Sequence, residues 1–306
     1  MAVLLMATLA GCNLPGTGGG SGRTPAPVVS DPAAWSRLPP TVFGSNVWRA
    51  PGEDRATALA RIDAAYGPVG LLRIFGSWPP PTWTDLTAET GARPLVISFR
   101  IPPDVVLSGS ADARLTAWFR SAPTDRDIYW VYFHEPEDQS EKGWFTPEQF
   151  AAAWSHVAEL AAAVDNPRLH ATMVLMCWTA DERSGRDWRS YVPTSGVEVL
   201  AWDCYAKGHD AATYADPSSL LDPARSASAL AGATWAIAEI GARVAPGADG
   251  SDRARWLEEV GRYAEDHHAR FVTYFDAPVG GDFRLRDEPS VRAWAALVRR
   301  TDGEAP

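Results

Sequence analysis

From residue 41 onward, short apolar runs alternate with stretches of helical periodicity. Parallel strands joined by crossover helices produce this pattern. Residues 41–46, 69–75, 94–100, 128–134, 169–178, 197–205, 235–240 and 270–275 read as strands. Residues 53–66, 111–121, 147–164, 251–268 and 289–300 read as amphipathic helices, because their apolar positions return every three or four residues. Helix starts are marked by Thr146 before Pro147, by Ser251, and by Asp287 or Glu288 before Pro289. Short polar side chains cap the unpaired amides of a first turn, and proline tolerates its first position. The connections after the second and fifth strands are only weakly helical. Eight strand-then-helix units predict a single (β/α)8 TIM barrel rather than an open doubly wound sheet, which usually has fewer strands and often a glycine-rich phosphate turn.

In such a barrel the strand C-termini face the active site. The residues closing the apolar runs are therefore the candidates: Asn46, Arg73, Arg100, His134, Glu135, Trp178, Asp203, Tyr205, Glu239 and Asp276. Two runs stand out. Ile128-Tyr129-Trp130-Val131-Tyr132-Phe133 ends abruptly in His134-Glu135, and Thr234-Trp235-Ala236-Ile237-Ala238 ends in Glu239. A carboxylate at the end of an apolar strand needs a partner or a function, since burying it alone is costly. Two of them on one rim suggest glycosidic bond hydrolysis. The alternative for each is a buried ion pair with Arg73 or Arg100. Strict strand alternation puts Glu135 on the face of Phe133, and Glu239 on the face of Trp235 and Ile237.

Composition narrows the class. At 306 residues and 46% hydrophobic, the chain can bury one large core. Its formal charge of −10, with no cluster of Lys or Arg, argues against polyanion partners such as nucleic acid or an anionic membrane surface. Fourteen Trp suit a sugar cleft, although most are expected in the core. There is no CxxC or HExxH spacing, so no metal site is expected, and Gly280-Gly281 is not followed by an anion-binding helix start. No cofactor is expected. An oxidoreductase or phosphate-using barrel is disfavoured on the same grounds.

The first ten residues are apolar but too short to span a membrane, and Leu9-Ala10-Gly11-Cys12 resembles the bacterial lipobox. That resemblance implies cleavage before Cys12, lipidation of its thiol and tethering to the outer face of the cytoplasmic membrane, or else secretion. Residues 1–12 would be the signal, 13–40 a Gly/Pro/Ser-rich linker, 41–302 the barrel and 303–306 a tail. Cys177 and Cys204 read as two buried free thiols, with a disulfide allowed in an oxidising compartment.

His134-Glu135 on the fourth strand, Asp203-Cys204-Tyr205 on the sixth and Ala238-Glu239-Ile240-Gly241 on the seventh together resemble family 26 glycoside hydrolases, β-mannanase-like retaining enzymes of clan A. The resemblance implies that Glu135 is the acid/base, Glu239 the nucleophile, His134 a neighbour fixing the acid/base and the sugar, and Tyr205 a partner of the nucleophile. Trp144 loosely matches an aromatic residue of the family's cleft. Arg73, Trp178, Asp203 and Lys207 are further subsite candidates, with ion pairing and packing at the barrel rim as their alternative roles. The chain departs from the family at Pro136-Glu137-Asp138 and at Tyr274-Phe275-Asp276, which leaves mannan specificity open. Glu137 and Asp138 add negative charge near Glu135, a means of keeping a general acid protonated. A rival reading is a non-catalytic, surface-tethered glycan-binding lipoprotein on the same scaffold.

Overall fold

The computed structural model describes residues 41–206 and 214–301. Cys12 and the rest of residues 1–40, Lys207 and residues 302–306 lie outside the described residues. Eight parallel strands close into a barrel in sequence order: β1 (Val42–Asn46), β2 (Leu72–Phe75), β3 (Leu95–Phe99), β4 (Ile128–Tyr132), β5 (Leu169–Met176), β6 (Val199–Tyr205), β7 (Thr234–Gly241) and β8 (Phe271–Tyr274), with β8 pairing back to β1. All eight expected strands are present. The helices follow in order. They are α1 (Arg55–Tyr66), α2 (Trp83–Thr90), α3 (Pro103–Leu107), α4 (Asp112–Arg120), α5 (Glu137–Glu141), α6 (Pro147–Ala162), α7 (Cys177–Ala180), α8 (Pro217–Leu230), α9 (Ser251–Asp266) and α10 (Glu288–Thr301).

Apolar residues on both faces of each strand serve two packed layers. Val96, Tyr129, Val131, Val174, Val199, Ala201 and Ala236 fill the barrel interior. Their neighbours Leu95, Ile97, Trp130, Leu200 and Ile237 pack outward against helix residues such as Leu59, Leu115, Trp154, Leu257 and Leu297. Five tryptophans, Trp130, Trp154, Trp202, Trp256 and Trp294, are among the largest fully buried side chains, so much of the aromatic load is indeed core.

Helix starts follow the expected chemistry with one difference. Thr146 and Gln149 form a reciprocal capping box at α6, and the Asp287 carboxylate accepts the Ser290 N–H at 2.9 Å at α10. Ser251 is the first residue of α9 rather than its cap; Gly250 holds that position with φ 86°, and Asp249 accepts the Ser251 N–H at 2.9 Å. The weak pattern after β2 does fold as a helix, because Thr82 caps α2 and Trp83 and Leu86 are buried. After β5 there is only the one-turn α7 followed by two 3-10 turns.

The free-thiol reading of Cys177 and Cys204 is corrected: the two form a disulfide, Cα atoms 5.0 Å apart, joining the start of α7 to β6. Adjacent parallel strands bring them into reach, since Met176 is the register partner of Asp203.

Candidate active site

Both strand-end glutamates are aimed by backbone irregularities. β4 ends at Tyr132, two residues earlier than expected, because Phe133 and Glu135 both take φ 49°, in the left-handed region. Phe133 donates its N–H to Phe99 O and packs outward against Phe145 and Phe150, whereas Glu135 donates its N–H to Val174 O across β5. The shared facing expected for Phe133 and Glu135 is therefore absent. In β7, Trp202 pairs with Ile237 but Asp203 pairs with Glu239, so Ala238 is an extra residue, a bulge. That bulge turns Glu239 inward, away from the outward faces of Trp235 and Ile237.

Glu239 is buried and held at both oxygens. Arg73, fully buried on β2, donates to Oε1 at 3.3 Å and to Ser98 Oγ at 2.6 Å, while the Tyr205 hydroxyl donates to Oε2. Burial raises the Glu239 pKa above its ordinary value, and Arg73 and Tyr205 pull against that rise. Gly241 makes room for the tyrosine, since a Cβ there would stand 2.9 Å from two Tyr205 ring carbons.

Glu135 faces a different environment. Its pKa is pushed up to about 8, mainly by burial, then by the charges of Glu239 and Glu137, with Arg100 and Arg73 opposing. His134 lies beside Arg100, whose Nη2 approaches its Nε2 at 3.2 Å and donates to its carbonyl at 3.0 Å. A guanidinium only donates, so Nε2 must accept and the proton sits on Nδ1. Burial and the two arginines hold the His134 pKa well below its usual range, so the ring is neutral. Asp203 is buried opposite Glu239, and its side chain, as a protonated acid, donates to Glu239. Burial, and then Glu239 and Glu135, raise its pKa well above the carboxylate range. A neutral acid at that position adds no repulsion to Glu239.

A cavity of about 870 Å³ opens at this rim, lined by Glu135, Glu239, His134 and Tyr205. Its volume falls within the range of small-ligand sites. The remaining wall comprises Phe75, Phe275 and Phe283 together with Trp48, Arg49, Glu53 and Arg55 after β1. Sequence reasoning missed this loop, whose polar residues carry no periodic signal. Phe75 closes β2 and Phe275 follows β8 directly, a legible clue.

Of the other candidates, Asn46 lines the cavity and the rest lie elsewhere. Trp144 is 70% exposed and Trp178 38% exposed, and neither lines the cavity. Arg73 and Asp203 sit beneath it, buried, rather than on its surface. Asp276 accepts from the Tyr66 hydroxyl at 2.9 Å and from Leu285 N–H at 3.0 Å, and Asn46 accepts the Asp276 N–H at 2.7 Å, a brace between β1 and β8.

No family model and no curated protein matches the chain. Solved structures do match it. A glucosidase from Croceicoccus marinus aligns at 16% identity and TM-score 0.58 over 86% of this chain and 68% of its own. A GH26 β-mannanase from Bacteroides ovatus aligns at 12% identity and TM-score 0.56 over 88% and 90% respectively. An exo-β-1,4-mannosidase from an Opitutaceae bacterium aligns at 15% identity and TM-score 0.59 over 87% of this chain and 60% of its own. These neighbours are glycoside hydrolases on the same barrel, and at such identities the likeness is one of fold.

Proposed function

We propose that this protein is a retaining glycoside hydrolase acting on the β-glycosidic bonds of a polysaccharide, a β-mannan or a related β-glycan in the manner of family 26. The carrying observation is the pair of unlike carboxyls in one cavity. Glu239 is gripped at both oxygens by a guanidinium and a phenol, while Glu135 keeps its proton to about pH 8. Environments that push two carboxyl pKa values apart assign a base and an acid.

In the mechanism, an oxygen of Glu239 bonds to the anomeric carbon as the bond to the leaving oxygen breaks, and Glu135 delivers its proton to that oxygen. Glu135, now ionised, takes a proton from water as the water oxygen attacks the same carbon and releases Glu239. Two inversions give net retention. Arg73 and Tyr205 orient the nucleophile and stabilise its charge; His134, held by Arg100, presents a neutral ring to the cavity wall.

The test is a screen of β-mannans, xylans and β-glucans for new reducing ends, with proton NMR of the first-formed anomer. Inversion would sink the double-displacement reading, and no cleavage of any glycan would sink the enzyme reading. Exposed Trp144 outside the cavity fits the rival reading, surface glycan binding, whose signature would be co-sedimentation with an insoluble glycan that yields no new reducing ends. Tethering through lipidated Cys12 is part of the proposal and rests on the lipobox sequence.

A further inference from the structure

Two residues after Glu135, the chain buries another carboxyl that the double displacement does not use. Glu137 opens α5 and is fully buried. Its Oε1 accepts the N–H of Met176 at 2.8 Å, and its Oε2 is buried without a hydrogen bond. Met176 closes β5 and precedes Cys177, whose disulfide partner Cys204 stands between Asp203 and Tyr205. One side chain thus ties the turn bearing Glu135 to β5, and through the disulfide to the strand that holds Tyr205 against Glu239.

The structure also separates Glu137 from its neighbour. Asp138 and Glu141 both pair with Arg186, at 3.2 and 2.7 Å, and are about half exposed, so their charges are neutralised and screened. Glu137 is neither. Around it stand Glu135 and Asp203 toward the barrel mouth, Thr179 and Arg186 from the segment after β5, and Tyr191 beyond them. Arg186 donates to Asp138, Glu141, Thr179 Oγ1 and the Met176 sulfur, not to Glu137.

We propose that Glu137 is a positioning residue for Glu135: its bond to Met176 fixes the left-handed turn that presents Glu135, and its buried charge holds the proton on Glu135. This rests on reading Glu135 as the proton donor. Burial raises both carboxyls, Glu137 to about 7 and Glu135 to about 8. Where Glu137 is ionised, its charge opposes ionisation of Glu135 and extends the range over which the general acid keeps its proton.

Two substitutions divide the roles. Glu137→Gln keeps an acceptor for the Met176 N–H but removes the charge. The alkaline limb of kcat/KM on an unactivated β-glycan should fall by roughly half a pH unit or more, with KM little changed. Glu137→Asp keeps the charge but not the reach; its limb should stay in place while kcat falls on unactivated substrates and is spared on aryl glycosides with activated phenol leaving groups. A wild-type limb in Glu137→Gln, or an equal displacement in Glu137→Asp, would overturn the proposal. Carboxyl ¹³C NMR of the wild-type protein gives a second test that needs neither turnover nor a folded variant. The Glu135 carbon should show, besides its own titration, an inflection at the pH where the Glu137 carbon itself titrates, and the absence of that shared inflection would overturn the proposal. If both inflections appear but no glycan is cleaved, the enzyme reading fails on its own.

Discussion

The Tyr205 hydroxyl donates to one oxygen of Glu239 while Arg73 donates to the other. Both bonds stabilise the ionised form and so oppose the burial that raises the Glu239 pKa. Tyr205→Phe removes one of them. The acid limb of kcat/KM should move to higher pH, because the carboxyl then holds its proton longer, and kcat should fall by roughly 10- to 100-fold. An unmoved acid limb would deny Tyr205 this role.

The two glutamates should separate by rescue. Glu135→Ala is expected to retain much of its glycosylation rate on aryl glycosides with activated phenol leaving groups, and azide should restore turnover with a β-glycosyl azide as product. Glu239→Ala forms no glycosyl-enzyme, so any azide product should have inverted configuration. Product anomers read by NMR decide the assignment; exchanged behaviour of the two variants would reverse it, and identical behaviour would void it.

Protonation of Glu135 also bears on stability. Its folded-state pKa of about 8 lies above the ordinary 4.5, so the folded protein binds more protons than the unfolded chain between those values. Stability contributed by this group is fully present below pH 4.5 and is lost as pH rises through 8. Glu135→Gln should therefore melt above the wild type at pH 9, by roughly 2 °C or more, and close to it at pH 4. A calorimetric comparison at the two pH values checks the sign.

Cys177 and Cys204 enclose a segment with a sequence separation of 27, and a loop of that order is worth about 3.5 kcal/mol in the chain-entropy account. Cys204→Ser should lower Tm by several degrees. In the unfolded wild-type protein these two thiols should react with an alkylating reagent only after reduction.

If the proposed tether at Cys12 operates, Cys12→Ser in a bacterial host that processes lipoproteins should shift the protein from the membrane to the soluble fraction. An unchanged distribution would remove the tether without touching the site.

The barrel was legible because parallel strands are buried on both faces and read as continuous apolar runs. Even the extra strand residues expected at 133 and 134 were misread only by two left-handed dihedrals, which leave no hydropathy signal. The glutamates were visible as the polar ends of those runs, but their directions were not. Alternation put Glu239 with Ile237, and the bulge at Ala238 overrode it. The disulfide was missed because pairing depends on the β5–β6 register, which spacing alone does not fix. The Arg49–Glu53–Arg55 wall was hidden for the opposite reason, since a polar loop after a strand looks the same whether or not it lines a cavity.

Gly241 has no side chain to contribute to any reaction, yet the Tyr205 ring occupies the space where its first carbon would be. One added methyl group would have to dislodge the tyrosine, and with it the hydroxyl on Glu239. Gly241→Ala is thus a chemical deletion made by steric means: an activity screen would score it beside Tyr205→Phe. A glycine can therefore be functionally irreplaceable through the volume it leaves to a neighbour.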